Sequence, residues 1–599
     1  MTELMTPAPV LTEPPRHRPT GNLEVHLPTN DPDRPRVDRI GAVSLALNGT
    51  LDLVGSPLLE VAGDGWRGSL LLDWVPVWEN ATLRVVLLAP FGERGAVLRI
   101  EPKAEQSIEI RGAVERLVVG RFSEEVLDAA FAAAHDAWTG SYTLTARVGH
   151  SRLAVALRPD RPPDAVQWSP QFCLRFRAAE PITLYLGLAA ETDGARTTAM
   201  HLSRVGWEAL YRRTAAKLSS LAARGPDDSL GPVYRRNLYF GYFYSQAEAL
   251  EGGTALLTSK SPHYYVSGAY WARDSLLWFF PMLLQVDLER ARAVLETAFA
   301  RYAAWPGEHA QYLSGPPLYP GFELDQAAAY PLALARFIEA GGDRDLVTEL
   351  RRHLGAVLSR IRAERHAELA LYRTFLSPTD DPVPHPYLTY DNAVLSTALL
   401  RLAPHVNDDQ LAAWARAESH AIREALYRYS CMPGPFGPMF AFAFEPGGEQ
   451  VAGDQPAGSL TLLTHLGFCV PDDPVFRGTV RWVLSARNPY HFDAAFPGEG
   501  SAHFPFPSGF SLANRLLLGE MPWREEALAV LRNAPLDGGL VPESYDRGTG
   551  QVRTGAAFAT LAAFVAYALR GMGSTRDSGT SATTEPAPGA GQSEGGLAP

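Results

Sequence analysis

Four stretches of the sequence set carboxylates among aromatic rings: residues 262–275 (PHYYVSGAYWARDS), 318–330 (LYPGFELDQAAAY), 375–392 (FLSPTDDPVPHPYLTYDN) and 538–550 (GGLVPESYDRGTG). Flat rings cover the C–H faces of a pyranose, while acids bind hydroxyls and move protons, so this mixture fits a carbohydrate site. Other chemistries lack their parts. The chain has no H-E-x-x-H, no G-x-S-x-G, no phosphate loop and no dinucleotide fingerprint, and its 15 histidines are scattered without metal-ligand spacing. No metal and no cofactor are expected.

The chain has 599 residues, with 66 acidic against 54 basic side chains and a net charge of -12, which opposes binding to a nucleic-acid backbone. Three cysteines, Cys173, Cys431 and Cys469, are too few and too dispersed for a disulfide framework and read as small buried hydrophobes. The first residues carry no secretion signal, and no apolar run is long enough to span a bilayer. The expectation is a cytoplasmic protein acting on an oligosaccharide or small glycoside, away from membranes. Oligomeric state is left open.

The elements that must position the four stretches follow from hydrophobic period. Residues 1–33 and 573–599 are rich in Pro, Thr, Ser, Gly and charge, and are expected to be disordered. Residues 34–193 have the period of strands, short runs of Val, Leu, Ile and Thr between Gly, Pro, Asp or Asn, which predicts an antiparallel β-sandwich. One run inside it, FSEEVLDAAFAAAHDAW (122–138), reads as a helix. Residues 194–572 hold about twelve amphipathic or wholly apolar helical windows with no repeating unit. A closed (α/α)6 toroid of six helical hairpins accommodates them, since outer helices let inner ones be apolar nearly all round. The loops between the helices are long and carry the four stretches, as functional loops do.

Taken in order, these loops resemble the landmarks of six-hairpin glycosidases, and most closely those of glycoside hydrolase family 125, the inverting exo-α-1,6-mannosidases. Trp271-Ala272-Arg273-Asp274-Ser275 is similar to that family's W-x-R-D-S. Glu323-Leu324-Asp325 followed by Tyr330 is similar to its E-L-D-S-x-x-Y, and Ser377 to Asp381 to R-P-S-D-D. Residues 472–492 resemble the segment ending in L-S-x-x-N-P-Y, 500–510 its G-S-P-H-T-P-x-x-Y, and Pro542 to Asp546 its H-E-S-F. The resemblance covers roughly residues 250–570.

It implies an inverting hydrolysis without metal, in which Asp380 or Asp381 donates a proton and Glu543 is the base; order along the chain slightly favours Asp380. Arg273 and Asp274 would clamp hydroxyls of the terminal sugar, Glu323 and Asp325 would add acceptors there, and Trp271, Tyr270 and His503 would wall the subsite. α-Mannosides are the first expectation and α-glucosides, trehalose-like sugars or glucosylglycerate the second. Departures from the pattern, Phe375-Leu376 for R-P, Pro542 for the His, and GlyAspGlnProAlaGlySer at 453–459 for D-D-A-N-V-P-S, bear on the sugar more than on the reaction.

Plainer roles exist for the same residues. Arg273–Asp274 also reads as a helix-start ion pair, Asp380–Asp381 as an exposed turn, Glu543 as a surface-loop acid, Glu323 and Asp325 as helix caps, and His503 as a packed histidine. A carbohydrate-binding toroid without catalysis is the rival from another class, and a phosphorylase a weaker third.

Overall fold

The computed structural model describes residues 9–577. Strands fill the chain as far as Ala189, and helices dominate from Thr192 onward. The strands form two antiparallel sheets, of nine and eight strands. Alternation drives their packing: in strand Gln171–Ala178, Phe172, Leu174 and Phe176 point inward between outward polar residues, and Leu174 and Phe176 lie opposite Ile110 and Ile108. Val85, Leu87, Leu98, Ile100, Leu184 and Leu186 of the other sheet join the same apolar cluster, so both sheets share one core.

Three expectations are corrected here. The run 122–138 is not a helix but the strands Glu124–Leu127 and Ala130–Asp136, the second paired along its length with Ser141–Val148. Its alanines favour a helix in isolation, but the neighbouring strand Ser141–Val148 offers an edge to pair with, and that tertiary term wins. Residues 9–33 are ordered rather than disordered: Thr20–Gly21 and His26–Leu27 extend the nine-stranded sheet, and His17, Asn22, Val25 and His26 are buried. Composition misleads because buried hydrogen bonds do the ordering. Asn22 donates to the carbonyls of Pro90 (2.6 Å) and Glu93 (2.8 Å), and His26 pairs with Asp52 at 2.6 Å. At the other end, residues 573–577 belong to a helix ending at Asp577, whereas 1–8 and 578–599 lie outside the described residues.

Helix α1 (Thr192–Val205) lies on the eight-stranded sheet, and α2 (Trp207–Ala222) follows it after Gly206. Six outer-to-inner pairs follow. They are α3 (Gly231–Tyr244) with α4 (Phe280–Val286, preceded by a π-helical segment Arg273–Phe279), and α5 (Leu288–Thr297) with α6 (Leu324–Glu339). After the short α7 (Asp345–Glu349) come α8 (Arg351–Ala363) with α9 (Thr389–Leu402) and α10 (Asp409–Tyr429) with α11 (Leu463–Leu466). Last are α12 (Pro474–Val483) with α13 (Gly509–Leu518) and α14 (Trp523–Asn533) with α15 (Ala559–Asp577).

The second members pack in a closed ring, α4–α6–α9–α11–α13–α15 and back to α4. Of α6 only Arg336 and Glu339 escape burial, while outer α8 buries just the stripe Leu354, Val357, Leu358 and Ile361. Because each pair runs outer helix first, the loops that carry the acids converge on the N-terminal ends of the inner helices. That end of a helix favours negative charge.

Candidate active site

Five of the six connecting loops, together with the first turns of the inner helices, enclose a pocket of about 420 Å³ including its mouth. Tyr265, Trp271, Arg273 and Asp274 line it from the loop and π-turn before α4, Thr379 and Asp380 from the loop before α9, His503 and Phe504 from the loop before α13, and Glu543 and Phe558 from the loop before α15. A π-helical turn at Arg273–Phe279 is the sort of local irregularity that helices adopt at functional positions.

Arg273 is the hub. Its Nε donates to Asp325 Oδ2 (2.6 Å), Nη2 to Asp325 Oδ1 (3.0 Å) and to Glu323, and Nη1 to Asp380 Oδ1 (3.2 Å). Burial opposes the charge, yet Asp325 and Glu323 hold the guanidinium firmly protonated. Behind it, Gln326 accepts from the backbone N–H groups of Ala272 (2.7 Å) and Arg273 (3.3 Å) and donates to Glu323 (3.0 Å), locking the turn to α6. His309 Nδ1 sits 2.5 Å from Glu323 and 3.8 Å from Asp380. Although burial lowers its basicity, those two carboxylates raise it overall.

Asp380 stands at the open side of this cluster. Its backbone has φ of 62°, a left-handed conformation that Asp tolerates better than most residues, and its side chain is 37% exposed, toward the pocket. Desolvation raises its pKa, against the pull of His309 and Arg273. Asp381 points differently: its oxygens meet His503 Nδ1 (3.1 Å) and Thr379 Oγ1 (2.9 Å), and it does not line the pocket.

Across the loops, Glu543 is 4% exposed. Its Oε1 accepts from Tyr265 (2.7 Å), and Oε2 is buried without a hydrogen-bond partner. Gly555, at φ of 55°, is packed so closely that a Cβ there would come within 2.5 Å of Glu543 Cβ. Burial raises the pKa of Glu543, while the His503 charge and the Tyr265 hydroxyl restrain the rise. His503 is itself held protonated: burial pulls it down, but Asp381 and the neighbouring charges of Glu543 and Asp380 bring it to about 9. Asp274 receives a hydrogen bond from Thr560 (2.7 Å), and burial pushes its carboxyl up to about 7.

Asp380, Glu543, Arg273, Asp274, Trp271 and His503 thus meet in one pocket. Besides Asp381, three residues expected to touch substrate do not line it. Glu323 and Asp325 are fully buried behind Arg273, their oxygens used by Arg273, Gln326 and His309, so they position the guanidinium. Tyr270 is a core residue, stacked on Tyr302 at 3.7 Å and hydrogen-bonded to Tyr330 at 3.1 Å. Sequence reasoning passed over four others: Tyr265, His309, Gln326 and Asp391. Tyr265, Gln326 and Asp391 lie within the aromatic-acidic stretches, whereas His309 carries no local signal. Asp391, in the first turn of α9, is fully buried with neither oxygen hydrogen-bonded, and desolvation with the charge of Asp325 raises its pKa far above the ordinary carboxyl range.

One set of atoms has the spacing of a metal site: ligand atoms of His309, Glu323 and Asp380 lie within 4.8 Å of one another. A cation already stands among them, because Arg273 donates to both carboxylates.

With this geometry in view, residues 350–558 match the sequence model of the family described as metal-independent alpha-mannosidase (GH125), a span that contains Asp380, Asp381, His503 and Glu543. Among solved structures, a bacterial glucoamylase complexed with acarbose is similar over 95% of this chain and 95% of its own, with a TM-score of 0.65 and 11% identity. A metal-independent alpha mannosidase from Streptococcus pneumoniae, in a non-productive complex with alpha-1,6-mannobiose, covers 60% of this chain and 98% of its own, with a TM-score of 0.51 and 16% identity. No curated protein matches. The chain has the fold of six-hairpin glycosidases, and its likeness to the glucoamylase extends through the β region.

Proposed function

We propose that this protein is an exo-acting, inverting glycoside hydrolase that removes terminal α-linked sugars, α-mannosides first, with a β-sandwich preceding its catalytic toroid. The observation that carries the reading is the pairing of Asp380 and Glu543 in one pocket, in unlike surroundings and from different loops.

Asp380 is the proton donor. Desolvation favours its neutral form, and donation to the glycosidic oxygen leaves a carboxylate that Arg273 and His309 stabilise. Glu543 is the base. The cationic His503 and the Tyr265 hydroxyl favour its ionised form, and the unpaired Oε2 is the atom to take a proton from water. As water oxygen bonds to the anomeric carbon, the bond to the leaving oxygen breaks; Glu543 gains the water's proton and Asp380 loses its own. Inverting hydrolases keep the two carboxyl groups roughly 6.5–9.5 Å apart to admit that water. Asp381, bound to His503 and Thr379, holds His503 in place. Asp274 offers an acceptor for a hydroxyl of the terminal sugar, and Arg273, held by Asp325, Glu323 and Asp380, brings positive charge to the same wall.

The family match over residues 350–558 supports mannose as the glycone. The glucoamylase likeness along almost the whole chain favours α-glucosides as the second reading. Following the anomeric configuration of products by NMR on α-mannobiose and α-glucobiose panels tests both. Inverted, β-configured sugar released by the wild type, and lost with Glu543→Gln and Asp380→Asn, is expected. Binding without turnover would make the toroid a carbohydrate-binding module.

A further inference from the structure

We infer that the β region supplies the leaving-group side of this pocket, through Phe122 at the tip of the hairpin formed by strands Arg116–Gly120 and Glu124–Leu127, and that Phe122 selects substrates whose leaving group is itself a sugar. The inference rests on the hydrolase reading above and adds a specificity determinant to it.

The hairpin tip is seated against the loop that carries Tyr265 and Trp271. Gly268 N donates to Arg121 O at 2.7 Å, and the backbones lie so close that a Cβ on Gly268 would stand 2.1 Å from Gly120 O. Phe122 packs on Tyr319 (centroids 4.8 Å apart) and on Trp271 (6.2 Å), making one apolar cluster with Val266 and Leu318. Trp271 and Val266 are also pocket wall.

The side of the pocket is fixed by the donor. Trp271 and Tyr319 both flank the His309 ring, at 6.0 and 6.3 Å, and His309 lies 3.8 Å from Asp380. A proton donor faces the leaving oxygen, so the cluster beside His309 and Asp380 lies where the leaving group departs; Glu543 is hydrogen-bonded by Tyr265 of the same loop and packs on Gly555. Two features of this side fit a sugar. Phe375, 52% exposed and 3.1 Å from where a Cβ of Gly321 would stand, adds a second available aromatic face. Trp271 carries a buried indole N–H with no partner, a donor for a hydroxyl. Rings for C–H faces and a lone donor suit a pyranose better than a small charged leaving group.

The test compares α-mannosyl fluoride, which fills only the terminal-sugar site, with α-mannobiose, using the full chain; the glucosyl pair serves if glucose is the glycone. Phe122→Ala should lower kcat/KM for the disaccharide about 3- to 10-fold, mainly through KM, and leave the fluoride within about 2-fold, the scale of one lost aromatic contact. Phe122→Tyr should restore the disaccharide rate. Phe122→Leu, which keeps apolar volume without a ring face, gives the same ratio if the alanine variant fails to fold. Equal losses on both substrates, or on neither, overturn the inference while the hydrolase reading stands. A wild type that hydrolyses neither fluoride nor disaccharide in either sugar series overturns both.

Discussion

The helical ring buries two arginines among acids, and they behave oppositely. Arg515, on α13, donates to Glu499 (Nε at 3.1 Å, Nη2 at 2.6 Å) and to Glu526 (2.6 Å), while Ser511 and His491 take up the remaining capacity of Glu499. Burial works against the charge of Glu499, but Arg515 dominates and holds its pKa at about 2. Arg273 faces more carboxylate than it can neutralise. Glu323, Asp325 and Asp380 bond to it, Asp391 and Asp274 crowd behind and beside it, and Asp391 and one oxygen of Glu543 have no partner. There Asp274 is driven up to about 7. A balanced cluster braces two elements; a surplus of desolvated acid keeps protons available near neutral pH, which is what acid–base catalysis requires.

Removing the acids assigned to catalysis should separate the clusters most sharply. Glu543→Gln and Asp380→Asn should each cost roughly 10²–10⁴-fold in kcat, the usual contribution of a positioned acid or base, with unfolding midpoints close to wild type. A steady-state assay beside a thermal melt checks both. Loss of fold with loss of rate would place these acids with Glu499 as structural.

The converse change is Arg515→Met. It strands a buried carboxylate and should cost about 3–5 kcal/mol in denaturant unfolding, with kcat of the folded fraction little altered. A normal unfolding midpoint would remove the bracing role.

The pH profile tests the surplus cluster from within. At low pH Glu543 takes up a proton and rate falls; His503, protonated up to about pH 9, moves that limb downward. His503→Gln should shift the acid limb of kcat/KM upward by roughly one pH unit.

The smallest effect concerns stability. Glu499, with its pKa lowered from 4.5 to about 2, contributes stability that is present above 4.5 and lost as pH falls through 2. Asp274, raised from 3.8 to about 7, contributes in the opposite sense, fully below 3.8 and lost as pH rises through 7. Asp274→Asn, which still accepts from Thr560, should raise the melting temperature at pH 8 by about 1–2 °C and by clearly less at pH 5. An equal change at both values would remove the ionisation account.

Legibility in the sequence followed the range of the interactions. The apolar windows of α6 and the strand alternation of Gln171–Ala178 are local patterns, readable because helix and strand repeat every few residues. The run 122–138 misled because an edge strand depends on a neighbour, and residues 9–33 misled because their order comes from Pro90, Glu93 and Asp52, far along the chain. In the pocket, W-A-R-D-S and P-E-S-Y marked true lining residues, but Tyr270 and Trp271, adjacent in sequence, separate into core and wall.

By itself the sequence determined which acids and rings are available, their order, and the apolar character that lets one set of helices sit inside another. Tertiary structure alone decided that Asp380 faces the pocket while Asp381 turns to His503, that Glu323 and Asp325 stand behind Arg273, and that a β-hairpin reaches Trp271. The reason is physical: whether a carboxyl group holds or gives up its proton depends on solvent exclusion and on charges a few ångströms away, and those neighbours are brought together by closure of the ring, from positions as distant as Tyr265 and Glu543.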